Sequence, residues 1–440
     1  MSSANQSAPP PPAVEAEFDV GSTDETLPHM IRDFAALGDV YRVLRPGQTR
    51  ETWVVSDPET IKRVLVGNHR NYTIGVGLDR VKVLVGNGII VSEGEVWRRQ
   101  HRMMQPMFQR SQIERFGPMI AQVTRRRLAR WCEQADRGEE SNVTKETSEG
   151  ALEVVLRAVF GNDYERLCSD GNSGGNPFAM LSEETNRDLR FAYRFRQLGK
   201  HIEEVIARRE AAPASGMQID WLAMMMASRD RDGQPMSHRE LIDEVMSLIV
   251  AGHETTAAVL NSVWYLLSQH PEAERRLHAE VDQTELPDLK LATIESLHYT
   301  HQVILEALRL YPPVWVLSRR CKHADQLVGH QAPAGSDVLM SPYVVHRHPQ
   351  HWTDPEAFRP ERFAPESIGA THRFAFIPFS AGPRHCVGET FALYEMAIHV
   401  YHVARVLQLR CDHRGPLELE ARINLRVRQD LSMRLERRQR

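Results

Sequence analysis

The sequence predicts a mainly α fold with small β-sheets, built as one large domain of 440 residues. Three observations carry that prediction. Helical periodicity dominates from about residue 95 onward, whereas alternating apolar runs are short and lie near the two ends. No internal repeat and no linker divides the chain. Hydrophobic residues make up 42% and charged residues 25%, so the chain can bury a large core and is neither disordered nor collagenous.

Residues 1–20, opening MSSANQSAPPPPAVEAEF, have no basic residue and no apolar centre. They read as a disordered Pro-rich leader and not as a signal peptide, leaving 21–440 as the domain. An alternating run through Val43, a turn at Arg45-Pro46-Gly47-Gln48 and a second run at Thr52–Val55 predict a hairpin over 39–55. Asp57 then caps a helix whose first position is Pro58. The pattern is helical over about 95–160, with a basic stretch at Thr124–Arg127. Residues 169–177 are the clearest loop, and a polar helical region follows to about 210.

Ser237 and Glu240 form a capping box that opens the longest helix, 238–268, about 46 Å in length. Pro271 starts another helix, and a further one covers Thr293–Leu310, stopped by Pro312-Pro313. Short strands are expected within 323–345 and irregular chain over 346–385. Helix returns at 387–408, and Ile423, Leu425 and Val427 alternate in a closing strand.

Lys and Arg total 54 against 58 Asp and Glu, a net charge of −4, which lacks the bulk basicity of a nucleic-acid binder. No run of 18 apolar residues occurs, so no membrane anchor is expected. Five scattered cysteines without a CxxC pair argue against a disulfide framework or zinc site and fit a reducing cytoplasm. Glycine-rich phosphate loops are absent, so no nucleotide domain is carried. His346, His348 and His351 lack metal-ligand spacing and read as loop polarity.

The segment Phe379-Ser-Ala-Gly-Pro-Arg-His-Cys-Val-Gly388 concentrates the chemistry. A free cysteine is most often a buried structural thiol. Here Gly382 and Gly388 flank Cys386 and allow a tight loop. The helix that follows aims its positive end at the sulfur, favouring thiolate over thiol. Arg384 adds a fixed cation and Phe379 an apolar shield. The arrangement suits a metal held by one cysteinate. In the longest helix, Gly252 costs about 1 kcal/mol relative to Ala. It is followed by Glu254 and Thr255, whose hydroxyl can bond the Ala251 carbonyl and bend the helix.

FSAGPRHCVG matches at every fixed position FxxGxRxCxG, the heme-binding loop of the cytochrome P450 family. Three more segments resemble that family's motifs in its order. Ala251–Thr256 is similar to the oxygen-binding stretch of the central helix, Glu306-Ala-Leu-Arg309 to the ExxR pair, and Phe358-Arg-Pro-Glu-Arg-Phe363 to the PERF segment. The resemblance runs from about Asp39 to the C-terminus and is weakest between about 165 and 235.

It implies the cytochrome P450 fold and heme b (iron protoporphyrin IX), with Cys386 as the iron ligand. The reaction implied is monooxygenation, in which O2 supplies one oxygen atom to a C–H bond of a lipophilic small molecule while Glu254 and Thr255 carry protons. Glu306, Arg309 and Arg362 then form a buried network holding the Cys loop, where i,i+3 spacing alone would suggest a surface pair. Trp97 and His101 match positions that contact a heme propionate, with His101 where arginine is usual. Arg319 matches another such position, and Arg320 is its possible substitute. Phe379, Arg384, Gly388 and Ala251 complete the cofactor-binding set.

Val250, Val314, Trp315, Val316 and Leu317 are expected to line an apolar substrate pocket, although core packing explains the same residues. Electrons are expected to come from NAD(P)H only indirectly, through a separate donor of ferredoxin or flavodoxin type. Arg98, Arg99 and Arg102 are either its docking face or a solvated one. A cytoplasmic monomer is expected. The chain between Phe160 and about 200 is shorter than the family's pair of lid helices. Two other readings stay open. A peroxide-using or non-oxygenating heme-thiolate enzyme is one, against which the Glu254–Thr255 pair argues; a heme-based sensor or carrier is the other.

Overall fold

The computed structural model describes residues 9–16, 24–45, 47, 50–169, 176–183, 189–211, 220–367, 369 and 371–438. Contacts divide the chain into two compact units interleaved in sequence. One takes Met1–Arg80, Leu305–Cys386 and Glu418–Arg428; the other takes Val81–Ile304, Val387–Leu417 and Gln429–Arg440.

In the first unit a six-stranded sheet runs in the order Ala13–Glu15, Val40–Leu44, Thr52–Val55, Asp337–Met340, Leu317–Cys321, Tyr72–Ile74. The expected hairpin is its second and third strands, antiparallel with Val40 opposite Val55. Pro46 and Gln48 of its turn lie outside the described residues. Asp57 caps the next helix as read, accepting from the Thr60 N–H at 2.7 Å, with Pro58 at the first position. The disordered-leader expectation is corrected at Ala13–Glu15, which pairs in parallel with Arg42–Leu44. A sheet edge offers unpaired backbone groups, and three residues suffice to take them up. The rest of the leader outside 9–16 lies beyond the described residues.

Strand formation at Leu317–Cys321 precedes the 323–345 segment in which strands were expected. Within that segment Asp325–Leu327 and His330–Ala332 form a small hairpin. Leu425–Val427 is a strand, paired with Leu419–Ala421, but it does not close the chain's β-structure. Ser432–Arg437 does, in the second unit, between Leu407–Arg410 and Glu140–Asn142.

The second unit is helical. Its longest helix, His238–Gln269, is about 48 Å long at 1.5 Å per residue. Both halves of the capping box are made: the Ser237 hydroxyl accepts from the Glu240 N–H, and the Glu240 carboxylate accepts from the Ser237 N–H. Val259–Ser268 is buried on all sides, so this end of the helix is an interior one. It packs on Val143–Phe160, and Gly252 faces that helix at close range. A Cβ there would sit 3.0 Å from Val155 Cγ2. Gly252 is therefore a packing glycine.

The single helix expected over Thr293–Leu310 is two, Leu291–Glu295 and His298–Leu310. The Glu280 carboxylate accepts from the N–H groups of Tyr299 (2.6 Å) and Thr300 (2.8 Å), satisfying the second helix's first donors. The basic stretch at Thr124–Arg127 is spent on ion pairs, Arg126 with Glu153 and Arg127 with Glu146 and Glu149. No helix among the described residues is long and apolar enough to cross a membrane.

Two neighbouring carboxylates near the start of the long helix clamp the loop after Leu78–Val85. Asp243 accepts from the Asn87 N–H and Glu244 from the Ile89 N–H, each at 2.9 Å. Gly86 (φ +67) and Gly88 let the loop approach, since a Cβ on either would collide with Asp243 or Ser247. Burial first, then Asp243 and Glu240, push the Glu244 carboxyl up from 4.5 to about 8. A folded pKa above the unfolded one means this contribution to stability is full below about pH 4.5 and is lost as the pH rises through 8. Glu244→Gln keeps an acceptor for Ile89 without the ionisation. It should flatten the decline in urea midpoint between about pH 5 and pH 8, worth a few kcal/mol in the wild type. An unchanged decline would place the titration elsewhere.

Candidate active site

Cys386 ends the first unit on a loop built from Phe379 onward. The Ser380 N–H donates to the Ile377 carbonyl, the His385 N–H to Gly382, and the Cys386 N–H to Phe379, each at 3.0 Å. Two left-handed residues make these turns, Ser380 at φ +60 and Gly382 at φ +71. At Gly382 the requirement is absolute, because a Cβ would lie 2.0 Å from the Leu65 carbonyl oxygen. Gly388 at φ −90 caps the helix Glu389–Ala404 without using glycine's special freedom. Cys386 is exposed, whereas Cys132, Cys321 and Cys411 are buried and Cys168 is half-buried. Phe379 and Arg384 are half-buried.

In the same unit Glu306 and Arg309 are fully buried. The carboxylate takes two parallel bonds from the guanidinium, 2.7 Å from Nε and 2.8 Å from Nη2. Arg309 spends its other N–H groups on the carbonyls of His346, Pro355 and Ala357. Glu306 also accepts from the Arg359 N–H at 2.8 Å and from Arg362 Nε at 3.3 Å. Arg362 in turn donates to the Asp354 carbonyl at 2.7 Å. Burial pulls the Arg362 guanidinium below its usual value, with Glu306 opposing. The structure thus brings these three charges together, Glu306 and Arg309 fully buried and Arg362 half-buried, with both arginines also bonded to backbone carbonyls.

Arg319 and Arg320 are told apart. Arg320 makes a two-pronged pair with the buried Asp337, at 2.9 and 3.1 Å, so its guanidinium is committed. Arg319, the next residue along the strand, points to the other face and is half-buried.

The apolar pocket expected at 314–317 needs correction. Trp315 is completely buried in a core with Leu27, Met30, Tyr41, Val54, Leu339 and Leu425, and its indole N–H donates to the Arg422 carbonyl at 2.8 Å. Leu317 lies in a second core with Trp53, Ile61 and Val338. Both are framework residues. Val314 and Val316 are only partly buried, as is Val250 on the long helix.

In the second unit the Thr255 hydroxyl donates to the Ala251 carbonyl at 2.5 Å, the back-bond expected from the sequence. Ala251 is exposed, Glu254 and Thr255 are half-buried, and Thr256 is buried at 2% exposure. The Trp97 and His101 rings, one helical turn apart, lie 4.9 Å apart on Gly94–Met104. On that helix Arg99 pairs with Asp230 and Glu240, and Arg98 with Glu95. Among the described residues no group of three or more His, Cys, Asp or Glu could hold a metal ion. His346, expected to be loop polarity, is fully buried, and its carbonyl accepts from Arg309.

The family profile described as Cytochrome P450 matches residues 9–175 and 175–427. The cyclooctat-9-en-7-ol 5-monooxygenase of Streptomyces melanosporofaciens is 32% identical over 392 residues, 85% of this chain and 83% of its own. The pentalenene oxygenase of Streptomyces avermitilis is 30% identical over 392 residues, 84% of each chain. For the fold, the crystal structure of a cytochrome P450 (CYP102L1) superposes with a TM-score of 0.84 at 23% identity, covering 98% of this chain and 99% of that one.

Proposed function

The chain belongs to the cytochrome P450 family of monooxygenases, and from that premise we propose that it hydroxylates a terpenoid, with electrons from a separate ferredoxin- or flavodoxin-type protein. The observation that carries this reading is the Cys386 loop, with its one exposed cysteine on a backbone that only glycine permits at 382. Two relatives named for terpene oxidation support the substrate class.

The donor set fits a heme iron held by one thiolate, and Cys386 would hold it; the family resemblance alone assigns Trp97, His101 and Arg319 to the propionates. Bound there, the heme would supply dioxygen activation and the oxidising power for a C–H bond. The protein's own contributions are the ligand, a proton path and an apolar setting. Thr255 fixes its hydroxyl on the Ala251 carbonyl, so its oxygen is a placed acceptor for a proton arriving by way of Glu254. Val250, Val314 and Val316, only partly buried, are the stronger candidates to contact the substrate.

The test is turnover of a cyclic terpene panel under 18O2 with NAD(P)H and a surrogate ferredoxin and reductase. One labelled oxygen in the product is expected. Turnover supported only by added peroxide, or none with any substrate that binds, would favour the peroxide-using or carrier readings. Thr255→Ala should keep NAD(P)H consumption within a few-fold while hydrogen peroxide rises at the expense of product. Thr256→Ala is a weaker control than its position suggests, because Thr256 is buried, so Thr256→Val, which keeps the shape, is used. Full coupling in Thr255→Ala would remove the relay from this residue.

A further inference from the structure

His346 is fully buried, its carbonyl meeting Arg309 and its ring meeting the chain that leads to Cys386. Its carbonyl accepts from Arg309 Nη1 at 2.9 Å. Its ring Nε2 accepts from the backbone N–H of Ile377, also at 2.9 Å, while the ring lies 5.0 Å from that of Phe376. From Ile377 the bonds continue in register: its carbonyl takes the Ser380 N–H, and the Phe379 carbonyl takes the Cys386 N–H. An acceptor at Nε2 requires the proton on Nδ1, hence a neutral ring. Burial, with Arg309 and Arg347 adding to it, holds the ring neutral by lowering its pKa to about 3.

A histidine that merely filled space would have no need to face its acceptor nitrogen toward a backbone donor. The bond at Ile377 falls three residues before Ser380, whose positive φ starts the turn toward Cys386. An apolar side chain of similar volume would leave the Ile377 N–H buried without a partner. That cost would fall on the loop and not on the helix His298–Leu310.

We propose that His346 is a positioning residue that transmits the fixed geometry of the Glu306–Arg309 pair to the Cys386 loop and so keeps the sulfur presented to the heme. This rests on Cys386 being the heme ligand. The side chain acts through Ile377 and touches no reacting atom.

The experiment compares full-length wild type with His346→Gln, His346→Asn and His346→Leu after reconstitution with heme. Gln carries an acceptor as far out as Nε2; Asn reaches only as far as Nδ1, and Leu has none. The readout is the absorption of the CO-bound ferrous form, resolved into thiolate-ligated and thiolate-lost fractions, beside heme content and melting temperature. Gln should retain the wild-type ratio. Asn and Leu should raise the thiolate-lost fraction about tenfold, as expected for one buried hydrogen bond. If Leu fails to fold, the Gln–Asn pair decides alone. Equal thiolate fractions in Gln and Asn, or a wild-type ratio in a folded Leu variant, overturn the proposal. A wild-type protein without a thiolate-type spectrum would instead remove the Cys386 assignment itself, so the two failures are distinguishable.

Discussion

Replacing Glu306 by alanine should leave no stably folded, heme-loading protein. Arg309 would keep its charge at zero exposure with only the carbonyls of His346, Pro355 and Ala357 around it. The Arg359 N–H and Arg362 Nε would lose their acceptor in the same step. Stranding one member of a buried pair costs about 3–5 kcal/mol, against a total stability of about 5–15 kcal/mol. Soluble yield should collapse, or the urea midpoint fall by most of its range. Glu306→Gln removes the charge and turns one accepting oxygen into an NH2 donor among the N–H groups of Arg309, Arg359 and Arg362, but it keeps one acceptor, so it should destabilise less than alanine. A Glu306→Ala protein that unfolds at the wild-type urea concentration would mean the buried charge is compensated by something other than this carboxylate.

How much of this was legible in the sequence depended on where each interaction's partner sits. Ser237 with Glu240, and Asp57 with Thr60, are partners three residues apart, and both caps were read to the residue. Glu306 and Arg309 are equally close, yet their burial depends on carbonyls 37 to 48 residues away, so only the family resemblance distinguished a network from a surface pair. The break at Ser296-Leu297 is imposed by Glu280, a cap from another helix that no local pattern announces. Strands of three to six residues such as Glu140–Asn142 and Ser432–Arg437 exist because a remote edge accepts them.

Trp315 shows the limit of polarity as a guide. An apolar residue lining a pocket and one filling a core have the same composition signal, and what decides is the Arg422 carbonyl, 107 residues on, that takes the indole N–H. His346 failed in the opposite sense. A histidine in irregular, proline-punctuated chain resembles solvent-facing polarity until the fold surrounds it. The residues toward which chemistry was assigned by motif, Cys386 and Thr255, carry local geometry that a short segment can encode: a glycine-dependent turn and an i−4 back-bond.

Cys386→Ser should abolish the thiolate-type spectrum of the CO-bound ferrous protein while leaving the fold intact. The substitution exchanges sulfur for oxygen and changes no backbone demand, so the Gly382 turn against Leu65 and the Cys386 N–H bond to Phe379 persist. A serine hydroxyl does not ionise near neutral pH, so no strong anionic donor remains at that position. The other cysteines offer no replacement. Burial pushes the thiols of Cys132, Cys168 and Cys321 above their ordinary value, toward the neutral form that binds metal poorly, and Cys411 is buried. Each of these four, changed singly to serine, should keep the thiolate spectrum. Gly382→Ala tests the loop independently of the ligand. Its Cβ has no room beside the Leu65 carbonyl, so the fraction of heme bound through thiolate should fall with Cys386 still present. A thiolate-type spectrum surviving in Cys386→Ser, or lost on changing any of the other four, would show that the wrong sulfur has been chosen.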